Sequence, residues 1–122
     1  MNNREINRLV AEKVMGWVQG KYAKELYYKK NNGQIHGAVK FVKDWSPATD
    51  IVDALQVAEK WRLYEIHKVD NKYICWIYDE SNNEEIFYEA EAPTLPLAIC
   101  LAALKAVGVE VSKNSKKLGE VL

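Results

Sequence analysis

The sequence predicts an α+β fold: a three-layer α-β-α sandwich in which an antiparallel meander sheet has helices on both faces. Three segments place apolar residues at helical spacing, and three consecutive strand-like runs are joined by short, turn-forming links. The middle run, KYICWIY, is apolar on both of its faces, so each face needs a covering layer.

Length and composition indicate one domain spanning residues 1–122, with a lysine-rich tail from about residue 110 that is expected to be loosely held. Lys+Arg and Asp+Glu both number 17, so there is no basic excess for gripping duplex nucleic acid. No apolar run approaches the ~18 residues of a membrane span, and the first residues do not resemble a secretory signal. Cys75 and Cys100 lie in apolar runs typical of reduced core cysteines, and the lone histidines His36 and His67 predict no metal site.

The first helix is predicted from residues 3 to 16, along NREINRLVAEKVMG. Asn2 or Asn3 can cap its start, and Gly16 marks its end. Trp17 follows that glycine, where an indole either lines a pocket or fills the core, and the core is the more common outcome.

The segment from Tyr22 to Val42 is harder to assign. It contains strand-like pieces around Asn32–Gly33, a dipeptide that favours tight hairpin turns. Two short edge strands and an ordered excursion from the fold both stay open as interpretations.

The stretch KDWSPATDI, residues 43–51, is predicted to start the second helix, with Ser46 as the N-cap and Pro47 as the first helical residue. The first N–H groups of a helix lack internal partners and attract anions, and Trp45 could stack a purine. The alternative, favoured by the residues alone, is that Ser46 only caps and Trp45 is a hydrophobic staple. The predicted buried stripe is Ile51, Ala54, Leu55, Ala58 and Trp61.

The strand-like runs RLYEIHKV, KYICWIY and EIFYEAEA lead into the last helix, TLPLAICLAALKAVG. Thr94 can cap this helix, Pro96 is tolerated in its first turn, and Gly108 is a good stop. Because only Lys105 is charged along it, the helix should be largely buried. Its start is a second candidate anion site, although a simple cap is again the favoured interpretation.

Catalysis has little support, and no enzyme and no cofactor are expected. The chain has no nucleophile motif and no glycine-rich phosphate loop, and its acidic runs NNEEI and EAEA are typical of a turn and of solvated strand faces. Several basic residues could balance a diphosphate, although such residues are usually solvated surface: Lys29, Lys30, Lys40, Lys43 and Arg62.

Three segments, LVAEKVMGW, WSPATDIVDALQVAEKW and EAPTLPLAICLAALKAVG, resemble in order and spacing the phage ABA-sandwich family. The resemblance covers most of the chain except about residues 20–42, and it implies a helix layer, a sheet layer and a second helix layer. In length and layout the chain is similar to one branch, the Thoeris anti-defence sponge family. Members of that branch bind cyclic ADP-ribose isomers released by TIR-domain enzymes, without cleaving them, in the cytoplasm of the infected bacterial host.

The resemblance also implies site residues and partners. By this likeness we expect Trp17 or Trp45 to stack the adenine, and N–H groups near Ser46 to Thr49 and near Thr94 to hold phosphate oxygens. The implied ligand-binding residues are Met15, Gly16, Trp17, Trp45, Ser46, Ala48, Thr49, Arg62, Thr94 and Leu95. The implied partners are a cyclic ADP-ribose-type nucleotide and a second copy in a homodimer or higher homo-oligomer, and some members also bind cyclic oligonucleotides at a separate site. The alternative is a phage structural or regulatory interaction domain with no nucleotide ligand.

Overall fold

The computed structural model describes residues 1–31, 34–79 and 86–110, with Asn31 and His36 described by their backbone only. The predicted Asn32–Gly33 turn, the NNEE part of the acidic run and the tail beyond residue 110 lie outside the described residues. The elements in chain order are helix α1 (Asn3–Leu9) with a π-helical extension (Val10–Val14), strands β1 (Trp17–Gln19), β2 (Leu26–Asn31) and β3 (Gln34–Phe41), a 3-10 turn (Val42–Asp44), helix α2 (Ile51–Ala58), strands β4 (Leu63–Val69), β5 (Lys72–Asp79) and β6 (Ile86–Ala92), and helix α3 (Leu95–Ala106).

The α+β class and the antiparallel meander are confirmed. The three strand-like runs form the sheet β4-β5-β6, in which Ile77 pairs with Tyr64 on one side and with Tyr88 on the other. A second three-stranded antiparallel sheet has the order β1-β2-β3. Its strands β2 and β3 lie in the segment from Tyr22 to Val42 that the sequence left open, so the strand interpretation holds there. Helix α3 packs against β5 and β6, and α2 packs against α3.

The two faces of β5 are buried to different extents. Cys75 and Ile77 are fully buried on the face toward α3, whereas Ile74, Trp76 and Tyr78 on the opposite face are half-buried. The predicted helix cover is therefore found on the first face. On the second face, the described residues leave side chains such as Phe87 about half exposed (55%).

Helix α2 begins later than predicted, and the prediction of Ser46 as N-cap with Pro47 as first helical residue is wrong. Ser46 instead opens a turn, in which its carbonyl accepts the N–H of Thr49 at 3.1 Å and that of Asp50 at 2.7 Å. Asp50 is the N-cap, and its carboxylate accepts the Asp53 N–H at 3.0 Å. Aspartate caps a helix as well as serine does, so capping preference alone does not distinguish Ser46 from Asp50. Because residues 46–50 form a turn, the helix begins after Asp50.

The buried face of α2 is confirmed at Ala54 and Ala58, but Ile51 does not belong to it and Val57 does. Ala54, Val57 and Ala58 are fully buried, whereas Ile51, predicted to be buried, is 38% exposed. The predicted Leu55 and Trp61 are partly buried against the core.

Both ends of α1 and the C-terminal end of α3 follow the predicted capping chemistry. The Asn2 side chain accepts the Glu5 N–H at 2.8 Å, and Gly16 leaves the helical path with φ 74°. Thr94 is the N-cap of α3 without a side-chain hydrogen bond, and Gly108 ends it with φ 85°. In the part of the chain that the structure describes, no helix is long and apolar enough to cross a membrane.

Candidate functional site

A cleft of about 1000 Å³ lies between α1, the β1-β2-β3 sheet and the turn before α2. One wall is the polar side of α1, a second is the loop joining β1 to β2, and a third is the end of β3 with the turn that follows it. The volume lies at the upper end of the range typical of small-ligand sites.

More basic than acidic side chains line the cleft. The basic side chains lining it are Arg4, Arg8, Lys24 and Lys43, and the acidic ones are Glu5 and Glu25. Four against two leaves a formal excess of two positive charges. Arg8 is partly neutralised by Glu12, 3.1 Å away and one helical turn along. Within residues 1–31, 34–79 and 86–110, no carboxylate lies within ion-pair distance of Arg4, Lys24 or Lys43, so these cations are available to an anion.

Three aromatic side chains line the cleft, and they differ sharply in exposure. Tyr27 and Trp45 are 3% and 2% exposed, whereas Phe41 is 47% exposed. Phe41 pairs with Leu26 in the sheet, and the Lys43 ammonium lies 5.7 Å from its ring centroid. Phe41 thus offers an accessible ring on a fixed strand.

Trp17 and Trp45 lie in the core beside each other. Their ring centroids are 4.7 Å apart, and Trp17 is 8% exposed. Neither indole presents an open face on which adenine could stack, which agrees with the alternative interpretation of both as core residues. The Nε1 of Trp45 is buried and has no hydrogen-bond partner among the described residues.

The N–H groups of the turn before α2 already have protein acceptors. Ser46 donates to the Asp53 carboxylate at 3.0 Å, and Ala48 donates to the Asn7 side-chain oxygen at 2.8 Å. Thr49 donates to the Ser46 carbonyl, and Pro47 has no N–H. The Asp53 carboxylate therefore holds the place that the sequence prediction gave to a phosphate, and a phosphate would have to displace it.

The Asp53 carboxylate has a second partner. Lys40 Nζ lies 3.6 Å from it and 5.6 Å from the Trp45 ring centroid. Lys40, one of the basic residues considered for a diphosphate, thus pairs with Asp53 in a partly buried cluster.

Only some of the predicted ligand-binding residues meet at the cleft. Trp45, Ser46 and Thr49 line it, and Ala48 is buried beside them. The predicted residues outside the lining are Met15, Gly16 and Trp17 where α1 leads into β1, Arg62 after α2, and Thr94 and Leu95 at the start of α3.

Most of the charged side chains that line the cleft were not identified from the sequence. Arg4 and Arg8 lie on α1 and Lys24 lies in the loop between β1 and β2, so the three come together only in the folded protein. The one local signal was the i, i+4 spacing of Arg4 and Arg8, which puts both on one side of the helix. Lys43, by contrast, was among the residues considered for balancing a diphosphate.

The described residues hold no reactive thiol and no metal cluster. Cys75 and Cys100 are unpaired and fully buried. Burial raises the pKa of the Cys75 thiol to about 12 and also raises that of Cys100, so both stay protonated and poorly nucleophilic at neutral pH. No group of three or more metal-ligating side chains occurs in the ranges described.

Comparison with known families agrees with this architecture. The sequence profile of the Phage ABA sandwich domain matches residues 8–104, a range that runs from α1 through most of α3. A search among curated proteins found no match. The match extends over far more than half of the chain, and the protein therefore belongs to the Phage ABA sandwich domain family.

Proposed function

We propose that the protein is a phage anti-defence protein that binds a cyclic ADP-ribose isomer and holds it without cleaving it. Such a signal is the product of TIR-domain enzymes in Thoeris defence, and sequestration in the cytoplasm of the infected host would silence it. The observation that carries the proposal is the cleft, because it combines a suitable volume, a formal excess of two positive charges and an exposed aromatic ring.

The charge of the cleft matches the charge of such a ligand. A diphosphate linkage has two negative charges, and the lining has a surplus of two positive ones. Arg4, Lys24 and Lys43 have no carboxylate within ion-pair distance in the described ranges, so binding does not require an ion pair to be broken. Charge-assisted hydrogen bonds to phosphate are among the stronger polar contacts in proteins.

Sequestration sets a demand on affinity. A protein that competes with a signalling receptor needs a dissociation constant near or below about 10 nM, which is roughly −11 kcal/mol. Affinity of that order requires a mostly enclosed ligand with its charges met by fixed donors. A second copy in the homo-oligomer implied by the resemblance would supply the missing cover over the cleft.

The side chains that line the cleft favour binding of the nucleotide over its cleavage. Among the described residues, neither a histidine nor a cysteine lines the cleft. The Thr49 hydroxyl donates to the Ser46 carbonyl at 3.5 Å, and within the described residues no hydrogen bond joins it to a histidine or a carboxylate. The lining thus lacks the histidine and cysteine that commonly activate or supply a nucleophile, and we propose binding without catalysis.

Titration calorimetry against a panel of cyclic ADP-ribose isomers tests the proposal. We expect saturable binding of at least one isomer, and heat denaturation of the complex should return that isomer intact by mass spectrometry. Release of a degraded nucleotide would indicate an enzyme instead. Flat titrations with every isomer would rule the proposal out.

One surface favours a second candidate function, a protein-interaction domain. The face of β4-β5-β6 that points away from α3 carries a row of aromatic contacts. The ring centroid of Trp76 lies 4.7 Å from that of His67 and 6.0 Å from that of Phe87. Leu63 (47%) and Phe87 (55%) stay exposed there, and exposed apolar patches often mark contact surfaces. If this candidate is right, Leu63→Ser abolishes association in sedimentation experiments, and no isomer of the panel binds.

A further inference from the structure

We infer, on the basis of the function proposed above, that Phe41 is the residue that stacks the base of the bound nucleotide. The sequence resemblance pointed to Trp17 or Trp45 for this role. Both indoles are buried in the core, whereas Phe41 combines a place in the cleft lining with a ring that is 47% exposed.

The position of Phe41 in the sheet suits a stacking platform. It ends β3, where it pairs with Leu26 of the neighbouring strand. The next residue, Val42, donates its N–H to the Glu25 carbonyl at 2.7 Å, which continues the connection between the two chain segments. A ring that starts from a paired strand loses less conformational freedom on binding than one on an open loop.

The surroundings of Phe41 suit both parts of a nucleotide: the ring suits the base, and the nearby basic side chains suit the phosphates. The Lys43 ammonium lies 5.7 Å from the Phe41 ring centroid, so a base on this ring brings its phosphates within reach of Lys43. Lys24 lines the same cleft and extends the basic wall. The ligand class that fits is therefore a purine nucleotide with a diphosphate, its base on Phe41 and its phosphates on the basic side chains.

The chain offers a matched control because it contains only two phenylalanines. Phe87 is exposed to a similar extent, 55%, but lies on β6 and does not line the cleft. Phe41→Leu and Phe87→Leu therefore remove the same aromatic ring from two exposed sites, of which only one faces the proposed ligand.

The experiment uses the full chain and two probes. The first probe is the cyclic ADP-ribose isomer that the unaltered protein binds, and the second is inorganic pyrophosphate, which has the charge but no base. We expect Phe41→Leu to weaken nucleotide binding about tenfold or more, in keeping with base–aromatic stacking, and to change pyrophosphate binding less than twofold. Phe87→Leu should leave both dissociation constants unchanged.

The possible outcomes distinguish the stacking role of Phe41 from the proposed function. Equal nucleotide affinity in Phe41→Leu and the unaltered protein overturns the stacking role while leaving the proposed function in place. An equal loss for both probes also overturns it, because the ring would then only shape the cleft. No nucleotide binding by the unaltered protein defeats the proposed function, and the stacking role with it. If Phe41→Leu does not fold, Phe41→Trp decides, because a wider ring should maintain or tighten nucleotide binding, and a tenfold loss would count against stacking.

Discussion

Trp17 and Trp45 pack with their ring centroids 4.7 Å apart and their planes inclined by 59°, in the interior of the protein. Trp17 starts β1, and Trp45 precedes the turn before α2, so this pair joins two segments that are distant in the sequence. The contact gives the WSPATD stretch a structural role.

Trp45→Ala should therefore destabilise the fold. Removing a large aromatic side chain that is 2% exposed leaves a cavity, and such changes cost about 3–5 kcal/mol in the free energy of unfolding. Urea denaturation measures the loss. Tyr22→Ala is the control, because Tyr22 is 91% exposed and its loss should cost less than about 0.5 kcal/mol. A midpoint for Trp45→Ala close to that of Tyr22→Ala would show that Trp45 is not a core residue.

Asp53→Ala should destabilise the start of α2. The Asp53 carboxylate accepts the Ser46 N–H at 3.0 Å and lies 3.6 Å from Lys40 Nζ. Removing a buried acceptor typically costs about 1–3 kcal/mol, because its donor is left unpaired. Asp53→Asn retains an oxygen for the Ser46 N–H, so chemical denaturation should show a smaller loss for it than for the alanine variant. Equal losses would mean that the charge opposite Lys40 carries the whole effect.

Because its thiols are buried, the protein should have a lower free energy of unfolding at high pH. Burial raises the pKa of Cys75 from 9.0 to about 12, so the unfolded state releases this proton at a lower pH than the folded state does. The stabilisation is full below pH 9 and is lost between pH 9 and about 12, at up to about 1.4 kcal/mol per pH unit for one thiol. Cys75→Ala should show a shallower decline in the unfolding free energy over this range. Identical slopes for the two proteins would contradict the prediction.

Gly20 and Gly37 should respond differently to the same substitution. A Cβ at Gly20 would collide with the Ala23 carbonyl oxygen and lie 2.8 Å from a ring carbon of Tyr28, whereas a Cβ at Gly37 meets nothing within 4 Å. Gly20→Ala is expected to cost about 1–3 kcal/mol by overpacking the β1–β2 turn. Gly37→Ala should leave the thermal midpoint unchanged or slightly higher, because alanine restricts the unfolded chain more than glycine does. Equal midpoints would argue against the tight turn at Gly20.

The sequence predicted what depends on local pattern. The β4-β5-β6 meander, the burial of α3 and the stop at Gly108 follow from periodicity, turn residues and capping preferences, and all three are found. The start of α2 was misassigned because Ser46 and Asp50 are both good caps. The observed start goes with contacts that a local pattern does not show, such as the hydrogen bond from the Ser46 N–H to the Asp53 carboxylate seven residues away.

The cleft could not be predicted in the same way. Arg4, Lys24 and Lys43 come from three separate segments, and only the segment that begins with Lys43, KDWSPATDI, was a candidate ligand site in the sequence. The resemblance implied Trp17 or Trp45 as the residue that stacks the base, although the residues alone favoured Trp45 as a hydrophobic staple. The observed burial of Trp45 against Trp17 is a tertiary contact that no local pattern encodes.

Lys43→Gln should weaken binding of a cyclic ADP-ribose isomer, because it removes one of the cations in the cleft lining. One partly exposed charge opposite a phosphate is expected to contribute about three- to tenfold in affinity, and the loss should shrink as salt screens the charge. Lys29→Gln is the matched control, since Lys29 is an exposed lysine on β2 that does not line the cleft. Calorimetry at low and high salt should show a salt-dependent loss for Lys43→Gln and none for Lys29→Gln. Equal losses in the two variants would mean that net charge, and not the cleft, attracts the ligand.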